Sequence, residues 1–156
     1  MKTENGFREG YSFLSNFTYF DKPMVRWEGN YKLTFLTNEH FYVAMKTRDV
    51  NIRRQVCDHP LKGLKKFGTS FPLREDWNDI KLDVMEYGLR YKFSDSNPKL
   101  RSALINTGHT ELVEYNWWND IFWGVCLKTE LGDNNLGKLL MKIRMEIKNE
   151  NINQTT

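Results

Sequence analysis

The 156-residue chain has 2 cysteines, 4 prolines and no apolar run long enough to cross a bilayer. Cys57 and Cys126 lie far apart in a sequence that opens with the polar stretch MKTENGFREG and shows no export signal. Two reduced thiols in a cytoplasmic protein are therefore expected rather than a disulfide, with no membrane association. An excess of one charge is also missing: 23 Lys and Arg against 20 Asp and Glu give +3, with both signs interspersed. That balance suits a phosphate-bearing ligand and argues against a structural or nucleic-acid-binding protein, because non-specific affinity needs concentrated positive charge. No phosphate-binding glycine loop, nucleophile elbow or H-E-x-x-H helix occurs. His40, His59 and His109 have no metal-site spacing, so no metal or cofactor is expected and each is read as a surface or core histidine. Neither an internal repeat nor a Pro- or Ser-rich linker marks a domain boundary.

What is present describes a globular chain. It is 40% hydrophobic, 28% charged and 14% aromatic, and its length suits one core. The 5 Trp, 7 Tyr and 10 Phe exceed the needs of an average core, and a site that stacks planar groups would account for part of them. The pattern predicts an α+β, mainly helical single domain over residues 1–156, with a few short strands and a disordered tail at 149–156. Two short strands flank a turn at Glu28–Gly29–Asn30, in a segment interrupted by Pro23. A helix capped by Asn38 is expected over Asn38–Asp49, a second over Asp49–Asp58, and a third short one opened by Pro60 and closed by Gly68. The longest helix spans Asp76–Phe93 with Asp76 as cap and a stripe of Ile80, Val84, Tyr87 and Tyr91. Another begins at Asn97–Pro98, turns Leu100 and Leu104 inward and ends at Gly108. Glu111–Tyr115 and Phe122–Leu127 read as strands or extended segments. The last helix, from Asn135, buries Leu136, Leu139, Leu140, Ile143 and Ile147.

Three segments carry candidate chemistry. Glu39 and Lys46, seven residues apart on one helix, share a face with Tyr42 and Val43, about 10 Å apart along the axis. One wall can thus hold a carboxylate, an ammonium and a phenol, although spacing alone favours a solvated helix face. In Arg74–Glu75–Asp76–Trp77, a Trp in the first helical turn is a platform for a base if it is exposed, with Arg74 free to pair with phosphate; otherwise it seals the core. Asn116–Trp117–Trp118–Asn119–Asp120–Ile121–Phe122–Trp123–Gly124 interleaves aromatic and polar groups, and Gly124 lets backbone approach a ligand closely.

These segments, with others in the same order, resemble the YbiA/NADAR family of N-glycosidases. The matching stretches are S-F-L-S-N-F at Ser12–Phe17, E-H-F-Y-V-A-M-K at Glu39–Lys46 and R-E-D-W-x-x-x-K-x-x-V-M at Arg74–Met85. They continue with T-G-x-x-x-L-V-E at Thr107–Glu114, N-D-x-x-W-G at Asn119–Gly124, and N-x-L-G-x-L-L-M-x-x-R carrying Asn134, Leu136, Gly137, Leu140, Met141 and Arg144. The similarity covers about residues 10–148, and the combined spacing is far more specific than any one motif. Val43 departs from it, standing where the family usually carries Gln.

The resemblance implies Glu39 and Asp120 as active-site acids, Trp77 as the aromatic and Lys46 as the helix lysine. Asn16, Tyr42, Arg74, Trp77, Trp123 and Gly124 are the candidate substrate-binding residues. The implied activity is hydrolysis of the bond between ribose and base in a phosphorylated N-riboside. The candidates are a phosphoribosylamino-pyrimidine of riboflavin synthesis and ADP-ribosyl-guanine, the latter alone or in nucleic acid. The competing class is a non-catalytic module binding ADP-ribose or an NAD-derived nucleotide, and no obligate protein partner is evident. Since no metal enters this chemistry, turnover is expected to survive EDTA. Activity abolished by the chelator and restored by one divalent ion would show the contrary.

Overall fold

The computed structural model describes residue 7 and residues 10–155, with side chains through 151. The architecture is the expected one, α+β and mainly helical, with strands confined to two small sheets. The chain packs as two compact units. One is continuous, Asn16–Asn97; the other joins Met1–Ser15 to Pro98–Thr156.

In the continuous unit, β1 (Tyr19–Glu28) and β2 (Tyr31–Thr37) form an antiparallel hairpin. Gly29 takes the left-handed conformation at the turn (φ 58°), where a residue without Cβ is unstrained. Pro23 lies within β1 and does not interrupt it. The register slips between Tyr19 and Met24, a bulge that spares the strand an amide proline lacks. The freed carbonyls of Lys22 and Pro23 accept from the Tyr91 hydroxyl at 2.6 and 2.9 Å.

The hairpin runs directly into α1 (Asn38–Met45), whose eight residues are all buried. Thr37, not Asn38, is the N-cap: its Oγ1 accepts from His40 N at 3.1 Å. The Asn38 side chain is turned inward. α1 stops at Met45, short of the expected Asp49, because buried Arg53 donates Nε–H to the carbonyls of Ala44 (3.2 Å) and Thr47 (2.9 Å). The same guanidinium pairs with Glu28 at the hairpin end.

Asp49 then caps α2 (Val50–Asp58), its Oδ1 accepting from Asn51 N at 2.8 Å and Ile52 N at 3.3 Å. The short α3 (Leu64–Phe67) opens at left-handed Gly63 rather than at Pro60, and Gly68 closes it as expected. α4 (Trp77–Lys92) follows Asp76. Its buried residues are Trp77, Met85, Gly88, Leu89 and Lys92, whereas Tyr87 is exposed and Ile80, Val84 and Tyr91 are half-buried. The inward face is therefore rotated from the expected apolar stripe, because a glycine and a lysine belong to it.

In the second unit, Ser12–Leu14 forms a 3-10 turn. α5 (Pro98–Asn106) buries Leu100 and Leu104, and the short strands β3 (Tyr115–Asn116) and β4 (Val125–Cys126) pair in parallel. α6 (Asn135–Thr155) buries Leu136, Leu140, Ile143 and Ile147; Leu139 is half-buried. The expected disordered tail is helical through Thr155, while Thr156 lies outside the described residues. No Pro or Gly interrupts 149–155, and extending an existing helix adds one hydrogen bond per residue fixed. Both cysteines are free thiols, and no described helix is long and apolar enough to cross a membrane.

Gly88 is the tightest fit in the continuous unit, since a Cβ there would lie 1.8 Å from Asn38 Oδ1. Gly88→Ala is expected to cost about 1–3 kcal/mol, and Asn38→Ala in the same chain to recover part of that loss. Strictly additive losses in urea midpoints would show that the two side chains do not compete for the space.

Candidate active site

α1 supplies the first candidates, and what holds its start is a set of amides. Asn16 O accepts from Glu39 N at 3.0 Å. The Asn38 amide donates to Asn16 Oδ1 at 2.9 Å and to Met85 Sδ at 3.4 Å. Asn16 Nδ2 also reaches Met85 Sδ, at 3.6 Å. Asn16 of the S-F-L-S-N-F stretch and Met85 of the V-M pair are thus two supports of the helix end that carries Glu39. His40, next in sequence, is a core histidine, its Nδ1 2.7 Å from Thr37 Oγ1 and its Nε2 2.9 Å from His59 O. Burial lowers its pKa.

Glu39 is 8% exposed. Burial raises its pKa above the usual carboxylate range, against an opposing attraction from Lys46 and Lys65. Lys46, at the C-terminal end of the helix, is half-buried; burial lowers its pKa, and Glu39 pulls the other way. Each group therefore feels the charge of the other. The Lys46 ammonium lies 5.4 Å from the centre of the Tyr42 ring, a cation–π contact. Tyr42 meets Trp77 edge-on at 5.0 Å. Ammonium, phenol and indole thus lie in series, with the Glu39 carboxylate acting on the ammonium through its charge.

Two expectations about the start of α4 change. Trp77 is only 5% exposed, so the indole is enclosed against Tyr42 rather than open as a platform. Arg74 is engaged: it donates to both carboxylate oxygens of Asp76, at 2.6 and 3.2 Å. Arg48 binds the same carboxylate at 3.1 Å and Glu75 at 2.5 Å. Asp76 is consequently spent on guanidinium groups and makes no side-chain cap for α4. The Arg74 amide donates to Lys46 O at 2.8 Å, which fixes the α4 start against the end of α1. Val43 is fully buried, and a Cβ on Gly68 would be 3.1 Å from its Cγ1, so this departure from the usual Gln faces a packed glycine.

Asp120, Trp123 and Gly124 lie in the second unit. Asp120 Oδ1 accepts from the amides of Phe122 (3.2 Å) and Trp123 (2.9 Å). Its backbone is clasped by buried Asn116, which donates to Asp120 O at 2.8 Å and accepts from Asp120 N at 3.0 Å. Trp123 is half-buried with its ring 4.7 Å from that of Phe122. The close approach that Gly124 permits is to backbone, since a Cβ there would lie 2.2 Å from Glu114 O.

The remaining shared motif is architectural. Asn134, left-handed at φ 52°, accepts from Glu114 N and donates to Leu112 O, each at 3.0 Å. A Cβ on Gly137 would come within 2.1 Å of the same Leu112 carbonyl. Arg144 holds Thr107 Oγ1 and Thr110 O at 2.8 Å. Asn38 was read in the sequence only as a helix cap and Asn116 only as part of the aromatic–polar stretch, while Lys65 was not singled out. The first two are amides whose partners are remote in the chain or folded back by a turn, and the lysine shows no spacing that marks it.

The NADAR domain family model matches residues 3–148, and the chain belongs to that family. It is 33% identical over 135 residues to the N-glycosidase YbiA of Shigella flexneri, covering 85% of this chain and 81% of that protein. The N-glycosidase YbiA of Escherichia coli K12 is 35% identical over 117 residues, 73% and 71% of the two chains. The riboflavin biosynthesis protein PYRR of Zea mays is 35% identical over 147 residues, covering 86% of this chain and 23% of that protein. The solution structure of Escherichia coli YbiA superposes with a TM-score of 0.78 at 30% identity, covering 97% of this chain and 86% of that one.

Glu39 holds its proton to higher pH in the folded state than in the unfolded chain, so its burial lowers stability as pH rises from the ordinary carboxylate range through the raised value. Glu39→Gln removes this loss. Its melting temperature should exceed that of the parent at pH 7.5, and the difference should shrink toward pH 4; a variant less stable at pH 7.5 would mean that the ionised carboxylate is held by favourable partners.

Proposed function

We propose that the Glu39–Lys46 cluster hydrolyses the N-glycosidic bond of a phosphorylated N-riboside, with the relatives named N-glycosidase supporting the reaction class. The carrying observation is that a carboxyl and an amine, their pKa values displaced toward one another by burial, share one electrostatic environment beside an aromatic pair. Shifts in these directions bring the two groups closer in proton affinity, which suits acid–base catalysis.

Breaking the bond between C1′ and nitrogen leaves positive charge on the sugar and negative charge on the departing base. In this reading, ionised Glu39 stabilises the ribosyl cation and takes a proton from the attacking water. The Lys46 ammonium supplies the proton that the leaving nitrogen requires. Water adds its oxygen to C1′, and the free base and the ribose 1′-hydroxyl are the products. Burial disfavours both charged forms, which makes the ionised Glu39 a stronger base and the Lys46 ammonium a stronger acid. A second route uses neutral Lys46 as nucleophile, its lowered pKa making the free amine more available. Attack at C1′ breaks the bond to the base, which leaves with the proton lost by the amine; ring opening gives a Schiff base, and water hydrolyses that to free ribose and the regenerated lysine. Asp120 is the second proposed acid, on the strength of the N-D-x-x-W-G stretch. A riboflavin-pathway phosphoribosylamino-pyrimidine is the preferred substrate class, supported by the plant relative's name; ADP-ribosyl-guanine is the alternative.

Incubation with a panel of N-ribosides, with released base followed by mass spectrometry, tests the activity. Glu39→Gln is expected to lower kcat about 10²–10⁴-fold with KM changed only a few-fold, because the cation exists only in the transition state. Borohydride added during turnover should trap an adduct on Lys46 if the Schiff-base route operates. Full turnover in both Glu39→Gln and Asp120→Asn would overturn the assignment of the acids.

A further inference from the structure

The second unit contains a cavity of about 780 Å³ whose lining comes entirely from residues 111–141 and includes none of the residues proposed above for catalysis. Its volume is that of a small-molecule site. One wall is the segment leading into β3. Glu111, Tyr115 and Trp117 line the cavity from odd-numbered positions, while Leu112 and Asn116 at even positions are buried, the alternation of extended backbone. From Glu111 to Trp117 this wall spans about 20 Å. Trp117, 51% exposed, presents aromatic surface to the cavity.

The charge of the lining contrasts with that of the chain. Glu111, Glu130 and Asp133 face the cavity, with Lys138 as the one cation in the lining, although the chain as a whole carries +3. This arrangement disfavours an anion. A metal ion does not fit either: among the described residues, no group of three or more His, Cys, Asp or Glu is gathered closely enough to hold one. The carboxylates are spread along a cavity that also presents aromatic surface. A ligand matching both features has several positive charges separated by apolar stem, so that ammonium groups meet carboxylates while methylenes and one ammonium lie against Trp117.

We propose that this cavity binds an extended aliphatic polyamine, held by Glu111, Glu130 and Asp133 and covered on one side by Trp117. The site is independent of the hydrolytic cluster, and its failure would leave the N-glycosidase reading untouched.

Isothermal titration of the full chain with spermidine at low salt is the test. Saturable one-to-one binding is expected. It should weaken at least about tenfold in the Glu111→Gln/Glu130→Gln/Asp133→Asn variant and about three- to tenfold in Trp117→Ala. Lys138→Gln, which removes the competing cation, should tighten it. All five positions are exposed, so the variants are expected to melt as the parent does. Absence of saturable heat in the parent chain, or unchanged affinity in the triple variant, would overturn the proposal. So would displacement of spermidine by an equal concentration of magnesium, which would reveal diffuse charge attraction in place of a shaped site.

Discussion

The structure of the continuous unit depends on enclosing a helix that begins with three polar residues. Every residue of α1 is buried, including Asn38, Glu39 and His40, and a buried polar group without a partner costs about 1–3 kcal/mol. The surroundings answer this in different ways. His40 finds a hydroxyl and a carbonyl, and the Asn38 amide finds Asn16 and Met85, whereas Asn38 Oδ1 is left with no hydrogen-bond partner among the described residues. Glu39 is the member whose enclosure bears on chemistry, since burial makes its proton harder to lose. The tight fit of Gly88 against Asn38 and the carbonyl capping by Arg53 both follow from closing the structure around this helix.

The motifs that mark the family divide by physical role. Those on α1 and at the start of α4 bring titratable and aromatic groups together. The N-x-L-G stretch and its distant arginine act on backbone: Asn134 holds the 112–114 segment, Gly137 makes room for it, and Arg144 gathers Thr107 and Thr110. Asp120 lies on this second kind of framework, with its turn fixed by Asn116 and by its own carboxylate. A shared motif therefore identifies the family without by itself identifying a reacting group.

Much of this was legible in the sequence where one residue decides local geometry. Gly29 marked the hairpin, Asp49 the start of a second helix, Gly68 a helix end and Pro98 a helix start. Helical spacing put Glu39 and Lys46 on one face, and each feels the other's charge. What could not be read depended on partners distant in the chain. Arg53 shortens α1 from outside it, Arg48 and Arg74 divert Asp76 from capping, and Tyr42 encloses Trp77. The buried face of α4 was misplaced because Gly88 and Lys92 carry no apolar signal, yet both are enclosed.

The division of the chain has a temporal consequence. The unit containing α1 is one uninterrupted segment, Asn16–Asn97, whereas the other is made from both ends of the chain. During synthesis from the N-terminus, the first unit has all its residues once Asn97 has emerged. The framework around Asp120 must wait for Asn134, and the grip on Thr107 for Arg144. The surroundings of Glu39 can therefore mature while much of the second unit is still being made.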